Sequence, residues 1–199
     1  MDHETLMAAL LHDVIEDTGH TYAELIETFG QKVGELVDGL TKLDKLEFQS
    51  HAQAQAESFR KMFMAMAKDI RVILVKLADR THNMRTLESV TQQKRHRIAI
   101  ETSEIYAPIA HRLGLNMIYR ELEDLSFKNA WPMRYRALEK SVKKVRGNRK
   151  EMVNRILNDV RKAFAKVGLE VDIHGREKSL ASIYQKMRTK HLSFSEVLD

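Results

Sequence analysis

The sequence lacks cysteine and contains two prolines and eight glycines among its 199 residues. The absence of cysteine excludes disulfide bonds, thiol catalysis and cysteine-based zinc sites. Few prolines and glycines mean few helix breakers and tight turns, which favours long helices. Long apolar runs are missing too, since Met7–Leu11 and Val72–Val75 are far too short to cross a bilayer. We therefore expect no membrane partner, and a reducing cytoplasmic location fits both absences.

The composition is that of a globular protein, with 43% hydrophobic and 31% charged residues. Lys and Arg exceed Asp and Glu by five, which suggests an anionic partner without naming one. The excess is concentrated in residues 134–150, which hold eight basic residues and one acid. The remaining chain is therefore not basic, and it shows no aromatic-and-basic platform of the kind that binds nucleic acids. A nucleic acid is not the expected partner.

The spacing of apolar residues predicts helices over most of the chain. The first helix is predicted over residues 2–15, where apolar side chains recur at helical spacing. A second helix begins at Thr21, which forms a capping box with Glu24, and ends at Gly30. Further helices are predicted at 33–46, 51–67, 71–87, 91–113 and 117–128.

The pattern changes after Pro132, a residue that fits best in the first turn of a helix. A long helix is predicted from 133 to 167, with Gly147 as a point of interruption. Residues 169–174 alternate apolar and polar side chains and predict one strand, which a helix at 179–190 follows. Because a single strand cannot form a sheet, we expect this piece to open a second domain that the chain does not complete.

Four polar residues cluster at the end of the predicted first helix and just beyond it: His12, Asp13, Glu16 and Asp17. At about 100° per residue, all four point away from the apolar side. An adjacent His–Asp pair can offer a nitrogen and an oxygen to one divalent metal. The two further carboxylates could handle the proton of a metal-bound water. A solvated polar face is the alternative interpretation, and the spacing leaves both open.

A second polar stripe lies on one face of the predicted helix 71–87 and consists of Asp79, His82, Asn83 and Thr86. The apolar residues expected to bury this helix are Ile73, Leu74, Leu77 and Ala78. A polar stripe on a buried helix needs partners. It forms either an internal hydrogen-bond network or a site in which Asp79 is a third metal ligand beside donors for an anionic substrate.

Three segments together resemble the RelA/SpoT homologue family, the bacterial enzymes that make and destroy the alarmone (p)ppGpp. They are residues 11–18 (LHDVIEDT), 77–86 (LADRTHNMRT) and 104–114 (EIYAPIAHRLG). The resemblance covers essentially the whole chain and is closest to the bifunctional, SpoT-like branch. It implies a mainly α fold built on a helical hydrolase domain of the HD superfamily. The implied reaction removes the 3′-pyrophosphate of (p)ppGpp and gives GDP or GTP and pyrophosphate.

The resemblance also assigns roles to residues. The Mn²⁺ ligands of the family are matched by His12, Asp13 and Asp79, and its water-activating acidic pair is matched by Glu16 and Asp17. Positions that contact the nucleotide are matched by Asn83 and Thr86, with Arg80 as a further candidate. Lys94 could reach the substrate phosphates, although a solvated helix start is the alternative for this residue.

One family feature is absent, because the first metal ligand of the family is a His on a helix upstream of the His–Asp pair. His3 cannot replace it, since nine residues before His12 it lies half a turn out of phase. We therefore expect an incomplete hydrolase domain over residues 1–130, weakened Mn²⁺ binding and impaired hydrolysis. The alternative is a non-catalytic remnant of the same family that binds a nucleotide or a partner protein and regulates.

The C-terminal residues 175–187 resemble the opening motif of the family's synthetase domain, an α/β nucleotidyltransferase-like fold. The resemblance matches Arg176, Lys178 and Lys186 to residues that hold ATP phosphates, and Asp199 to a Mg²⁺ ligand. A basic surface loop is the alternative for these residues. The expected organisation is therefore a hydrolase domain, connecting helices at 131–168 and an incomplete synthetase domain at 169–199, which we expect to have no synthetase activity.

Overall fold

The computed structural model describes residues 2–44, 60, 64, 68–145, 149–173 and 178–198. The chain divides into two compact units, Met1–Ser126 and Phe127–Asp199. All regular secondary structure in the described residues is helical, which confirms the predicted mainly α fold. Among the helices described, none is long and apolar enough to cross a membrane.

The first unit begins with four helices: α1 (His3–Leu10), α2 (Val14–Asp17), α3 (Tyr22–Phe29) and α4 (Gln31–Asp44). It continues with α5 (Ile70–Arg85), α6 (Gln92–Glu101), α7 (Ala107–Arg112) and α8 (Asn116–Ala130), of which the last turn belongs to the second unit. A 3₁₀ turn, Leu87–Ser89, follows α5, and a π turn, Thr102–Tyr106, joins α6 to α7. The helix predicted at 51–67 lies outside the described residues except at two isolated positions.

Local signals in the sequence set several of these boundaries. Thr21 and Glu24 form the predicted capping box at the start of α3, and Gly30 ends that helix with a φ of 88°. Asp2 and Asp69 each accept a backbone hydrogen bond at the start of α1 and α5.

The core of the first unit forms around α4, which packs against α1, α3 and α5. Its apolar face is fully buried and consists of Val33, Leu36, Val37 and Leu40. Helix α5 contributes Ile73 and Leu77, both completely buried, and it also contacts α1. This packing brings the C-terminal end of α1 close to α5, which is the arrangement that the functional residues use.

The prediction of one continuous helix over residues 2–15 is wrong. Helix α1 ends at Leu10, and residues 11–13 form a turn before α2. Leu11 and Asp13 have ψ angles of 6° and 0°, outside the helical range. The ring of His12 is hydrogen-bonded to the carbonyl oxygen of Ala9, one of the terminal carbonyls that a helix leaves without a backbone donor. A local side-chain contact therefore accompanies the end of the helix, which apolar spacing alone does not reveal.

The predicted burial of α5 needs one correction. Ile73 and Leu77 are buried as predicted and Leu74 is partly buried, but Ala78 is exposed. Val75 is buried, as is Lys76, a charged residue. The buried face of this helix therefore includes Val75 and the charged Lys76 and does not include Ala78.

The second unit contains α9 (Pro132–Val145), α10 (Arg149–Lys166), α11 (Leu180–Lys190) and α12 (Phe194–Leu198). Pro132 opens α9, as predicted. The buried residues of its core are Phe127, Leu138, Val142, Leu180, Ala181, Ile183 and Val197. Phe127 and Tyr184 stack within this core, with ring centroids 4.5 Å apart. Residues 169–173 form neither helix nor ladder, so the strand predicted there, and the synthetase domain it would open, stay predictions.

The close approach of α3 to α4 depends on a buried glycine. A Cβ atom on Gly34 would lie 2.5 Å from Cγ1 of Ile26 and 3.3 Å from the Tyr22 ring. We expect Gly34→Ala to lower the free energy of unfolding by about 1 kcal/mol, because overpacking costs more than the helix propensity that alanine gains. Urea denaturation measures this change. Gly19→Ala is the control, since nothing lies within 4 Å of its Cβ position; equal stability of the two variants would contradict the packing argument.

Candidate active site

The turn between α1 and α2 and the middle of α5 bring three of the predicted residues together. Nε2 of His12 lies 2.9 Å from Oδ2 of Asp13 and 3.4 Å from Oδ1 of Asp79. His12 and Asp79 are 67 positions apart in the chain, so this contact depends on the packing of α1 against α5. The imidazole is partly buried, and the side chain of Asp79 is 10% exposed.

The hydrogen bond of the other ring nitrogen assigns the tautomer of His12. Nδ1 lies 2.9 Å from the carbonyl oxygen of Ala9, and a carbonyl oxygen can only accept, so Nδ1 carries a proton and donates it. Nε2 is the ring nitrogen that faces the carboxylates of Asp13 and Asp79. Histidines that bind metals commonly donate their other ring N–H to a backbone carbonyl in this way. One nitrogen and two carboxylate oxygens are thus a donor set that fits a divalent metal ion in its chemistry.

In the part of the chain that the structure describes, no group of three or more His, Asp and Glu side chains is arranged to hold a metal. Both contacts of the candidate set run through Nε2 of His12, and the oxygens of Asp79 have other partners. Metal binding would therefore compete with the existing partners of Asp79.

Asp79 is held on both sides by its own helix. Its Oδ2 accepts a hydrogen bond from Nζ of Lys76 at 3.1 Å, and its Oδ1 accepts one from Nδ2 of Asn83 at 2.9 Å. Lys76 and Asp79 are both nearly buried, so this ion pair lies in the interior rather than in solvent. Sequence analysis assigned no role to Lys76, although its position three residues before Asp79 on one helix face is the signal that predicts such a pair.

The acidic residues after His12 lie close to this cluster. Burial raises the pKa of Asp13, and the carboxylates of Asp79 and Asp17 raise it further, while His12 and Lys76 oppose the rise. Asp17 is therefore near enough for its charge to act on Asp13. Glu16 and Asp17 are both exposed on α2, where water could reach them.

The predicted nucleotide contacts lie at the C-terminal end of α5. Asn83 is exposed and bound to Asp79, as described above. Thr86 follows the last residue of the helix, and its hydroxyl donates to the carbonyl oxygen of His82 at 3.2 Å. Lys94 is exposed near the start of α6.

Arg80 follows Asp79 in the chain, but its side chain contacts other partners. Its guanidinium lies 4.1 Å from the ring centroid of Tyr106 and donates to Glu101 at 3.0 Å. Tyr106 ends the π turn, a rare element that is frequent at functional sites. The side chain of Arg80 is 12% exposed, so these contacts occupy the residue that was predicted to bind substrate.

The residues predicted as contacts for ATP lie in the second unit or outside the described residues. Lys178 is exposed just before α11, and Lys186 is partly buried on that helix. Arg176 and Asp199 both lie outside the described residues.

Arg71, which sequence analysis also missed, ties the two helices that carry the site. Its guanidinium contacts Asp69 at 2.6 Å, Glu4 at 3.1 Å and Asp2 at 3.2 Å. Asp2 and Glu4 belong to the start of α1, whereas Arg71 and Asp69 belong to the start of α5. The cluster therefore fixes α1, which leads to His12, against the helix that carries Asp79.

Comparisons with known proteins cover the two segments that carry these residues. The family model described as HD domain matches residues 1–116, which include His12, Asp13 and Asp79. All 199 residues are 56% identical to the bifunctional (p)ppGpp synthase/hydrolase SpoT of Escherichia coli, of which they cover 28%. A guanosine-3′,5′-bis(diphosphate) 3′-pyrophosphohydrolase of Haemophilus influenzae is 54% identical over the whole chain, which covers 29% of it. A GTP pyrophosphokinase of Myxococcus xanthus is 46% identical over 202 residues, with 27% of it covered. The chain thus spans less than a third of the length of these relatives.

We expect Arg71→Met to reduce stability at neutral pH by about 1 kcal/mol, since it removes one cation from three carboxylates. The difference should be pH-dependent, because the hydrogen bonds from Arg71 hold the pKa of Asp69 below its usual range. A lowered carboxyl pKa stabilises the fold above the usual aspartate range and loses that effect as the pH falls through the folded value. Urea denaturation between pH 7 and pH 2 should therefore show the two proteins converging at acid pH.

Arg85→Met is the control for this prediction, because Arg85 is exposed and pairs with the partly buried Glu121 as a single carboxylate partner in that contact. It should cost less than Arg71→Met at pH 7. A stability difference for Arg71→Met that stays constant down to pH 2 would contradict the role assigned to the cluster.

Proposed function

We propose that this chain, which belongs to the HD domain family and within it to the RelA/SpoT family, hydrolyses the 3′-pyrophosphate of (p)ppGpp. The products would be pyrophosphate and GDP or GTP. The observation that supports this activity most directly is the convergence of His12, Asp13 and Asp79, contributed by two distant segments. The relatives from Escherichia coli and Haemophilus influenzae carry names that state this hydrolysis.

Membership of the HD family implies a divalent metal, and we propose that the ion is Mn²⁺. His12, Asp13 and Asp79 would hold it through one nitrogen and carboxylate oxygens. When bound, such an ion lowers the pKa of a coordinated water and neutralises charge on the phosphoryl oxygens. Because Lys76 and Asn83 already occupy the oxygens of Asp79, we expect modest affinity for the metal.

The protein's own residues would manage the proton and the nucleotide. Glu16 and Asp17 are exposed carboxylates beside the cluster, suited to accept the proton of the attacking water. The bond between phosphorus and the ribose 3′ oxygen breaks, the water oxygen is added to the departing pyrophosphate, and a proton ends on the 3′ oxygen.

The nucleotide would lie at the C-terminal end of α5. The amide of Asn83 and the hydroxyl of Thr86 would contact it there by exchanging their bonds to Asp79 and His82, and Lys94 is an exposed cation for the phosphates. Arg80 would have to leave Glu101 and Tyr106 to reach the same substrate, so we assign it a supporting role. For the second unit, ATP phosphate binding by Lys178 and Lys186 with Mg²⁺ remains a prediction.

The test is release of pyrophosphate from ppGpp by the purified chain with Mn²⁺. His12→Ala and Asp79→Asn should each reduce the rate by at least about 100-fold, since losing a ligand costs more than losing a residue that supports one. His20→Ala is the matched control, because His20 is exposed and contacts Glu24 rather than the cluster. Full activity in either ligand variant would contradict the assignment.

The activity assay, combined with melting temperatures measured with and without ppGpp, addresses the alternative of a regulatory, non-catalytic module. The observation that favours this alternative is that, within the described ranges, no group of three or more His, Asp and Glu side chains is arranged to hold a metal. A nucleotide-binding module would show a higher melting temperature with ppGpp and no release of pyrophosphate. That result would exclude hydrolysis by this chain while retaining the nucleotide site.

A further inference from the structure

Lys76 is a charged residue in a position that normally excludes charge. It is 5% exposed, and its Nζ atom lies 3.1 Å from Oδ2 of Asp79. Lysine is almost never buried to this extent without a partner, because removing an ammonium group from water is costly. The hydrogen bonds from Lys76 and Asn83 therefore fix the carboxyl group of Asp79 in one orientation.

The surroundings of the pair contain an excess of acidic groups. Asp13 contacts the same ring nitrogen of His12 that faces Asp79. The charges of Asp79 and Asp17 act unfavourably on Asp13, whereas that of Lys76 acts favourably on it. A single buried ammonium group thus compensates more than one carboxylate at this site.

We propose that Lys76 is a positioning residue that supplies the positive charge holding Asp79 against His12 while no metal is bound. Lys76 and a divalent ion then compensate the same carboxylates. The lysine therefore keeps the metal-free site folded and lowers the benefit that the metal brings. This inference rests on the proposed metal site, but not on the proposed substrate.

The consequence is thermodynamic coupling between the lysine charge and the metal. Without Lys76, Asp79 and Asp13 would both lie against His12 with no ammonium group among the contacts described above. A variant without Lys76 should be less stable than the original chain in the absence of metal, and a divalent ion should restore most of the lost stability. Reciprocity requires that the same variant bind the ion more tightly.

The experiment compares the chain with Lys76→Met, which keeps an unbranched side chain one atom shorter than lysine and removes its charge. Melting temperatures are measured in EDTA and in saturating MnCl₂, and Mn²⁺ affinity is measured by electron paramagnetic resonance. Lys76→Met should melt lower in EDTA, gain more from Mn²⁺, and bind the ion about fivefold more tightly or better. Lys42→Met is the control, because Lys42 forms an exposed pair with Asp38 at 2.5 Å and should change none of the three. Equal or weaker Mn²⁺ binding by Lys76→Met would overturn the proposal.

A double variant, Lys76→Met with Asp79→Asn, separates charge from packing if the single variant does not fold. Removing both members of a buried ion pair costs less than removing one. The double variant should therefore melt higher in EDTA than Lys76→Met and no longer respond to Mn²⁺. A double variant as unstable as the single one would show that Lys76 acts through packing and would overturn the proposal. Absence of ppGpp hydrolysis would leave these melting differences unchanged, so the two proposals fail in distinguishable ways.

Discussion

The site depends on the point at which α1 stops. If the helix continued beyond Leu10, as its apolar spacing predicts, His12 would remain part of it and its ring would be directed by helical geometry. Instead, the ring donates a hydrogen bond back to Ala9, and the turn that follows places Nε2 between Asp13 and Asp79. A single local contact thus accompanies both the end of the helix and the orientation of the residue on which the chemistry depends.

Other contacts in the first unit hold α1 against α5, so that His12 can reach Asp79. Arg71 joins the starts of the two helices, and α4 packs against both. On the other side of Asp79, Arg80 is held by Glu101 and by the ring of Tyr106, which the π turn presents. Asp79 therefore has a charged neighbour on each side along its own helix. Lys76 contacts Asp79 itself, whereas Arg80 contacts Glu101 and Tyr106.

Features encoded over a few residues were predicted well from the sequence. The Thr21–Glu24 box, the end of α3 at Gly30 and the start of α9 at Pro132 each follow from one or two side chains acting on the nearby backbone. The end of α1 was not predicted, because helical spacing continues past it and the competing contact is a side-chain hydrogen bond. The exposure of Ala78 and the burial of Lys76 were also missed, since they depend on which neighbours α5 receives from distant segments. The association of His12 with Asp79 came from resemblance to a family, because no local signal joins residues so far apart.

The central claim is that His12 binds a cation through the lone pair of Nε2, together with the carboxylates of Asp13 and Asp79. Nitrogen-15 nuclear magnetic resonance of the imidazole rings, recorded during titration with Mn²⁺, tests it directly. The structure predicts that His12 is protonated on Nδ1 and that its Nε2 resonance broadens at lower Mn²⁺ concentration than the resonances of the exposed His20 and His111. A proton on Nε2 with Nδ1 free, or equal broadening of all three histidines, would contradict the claim.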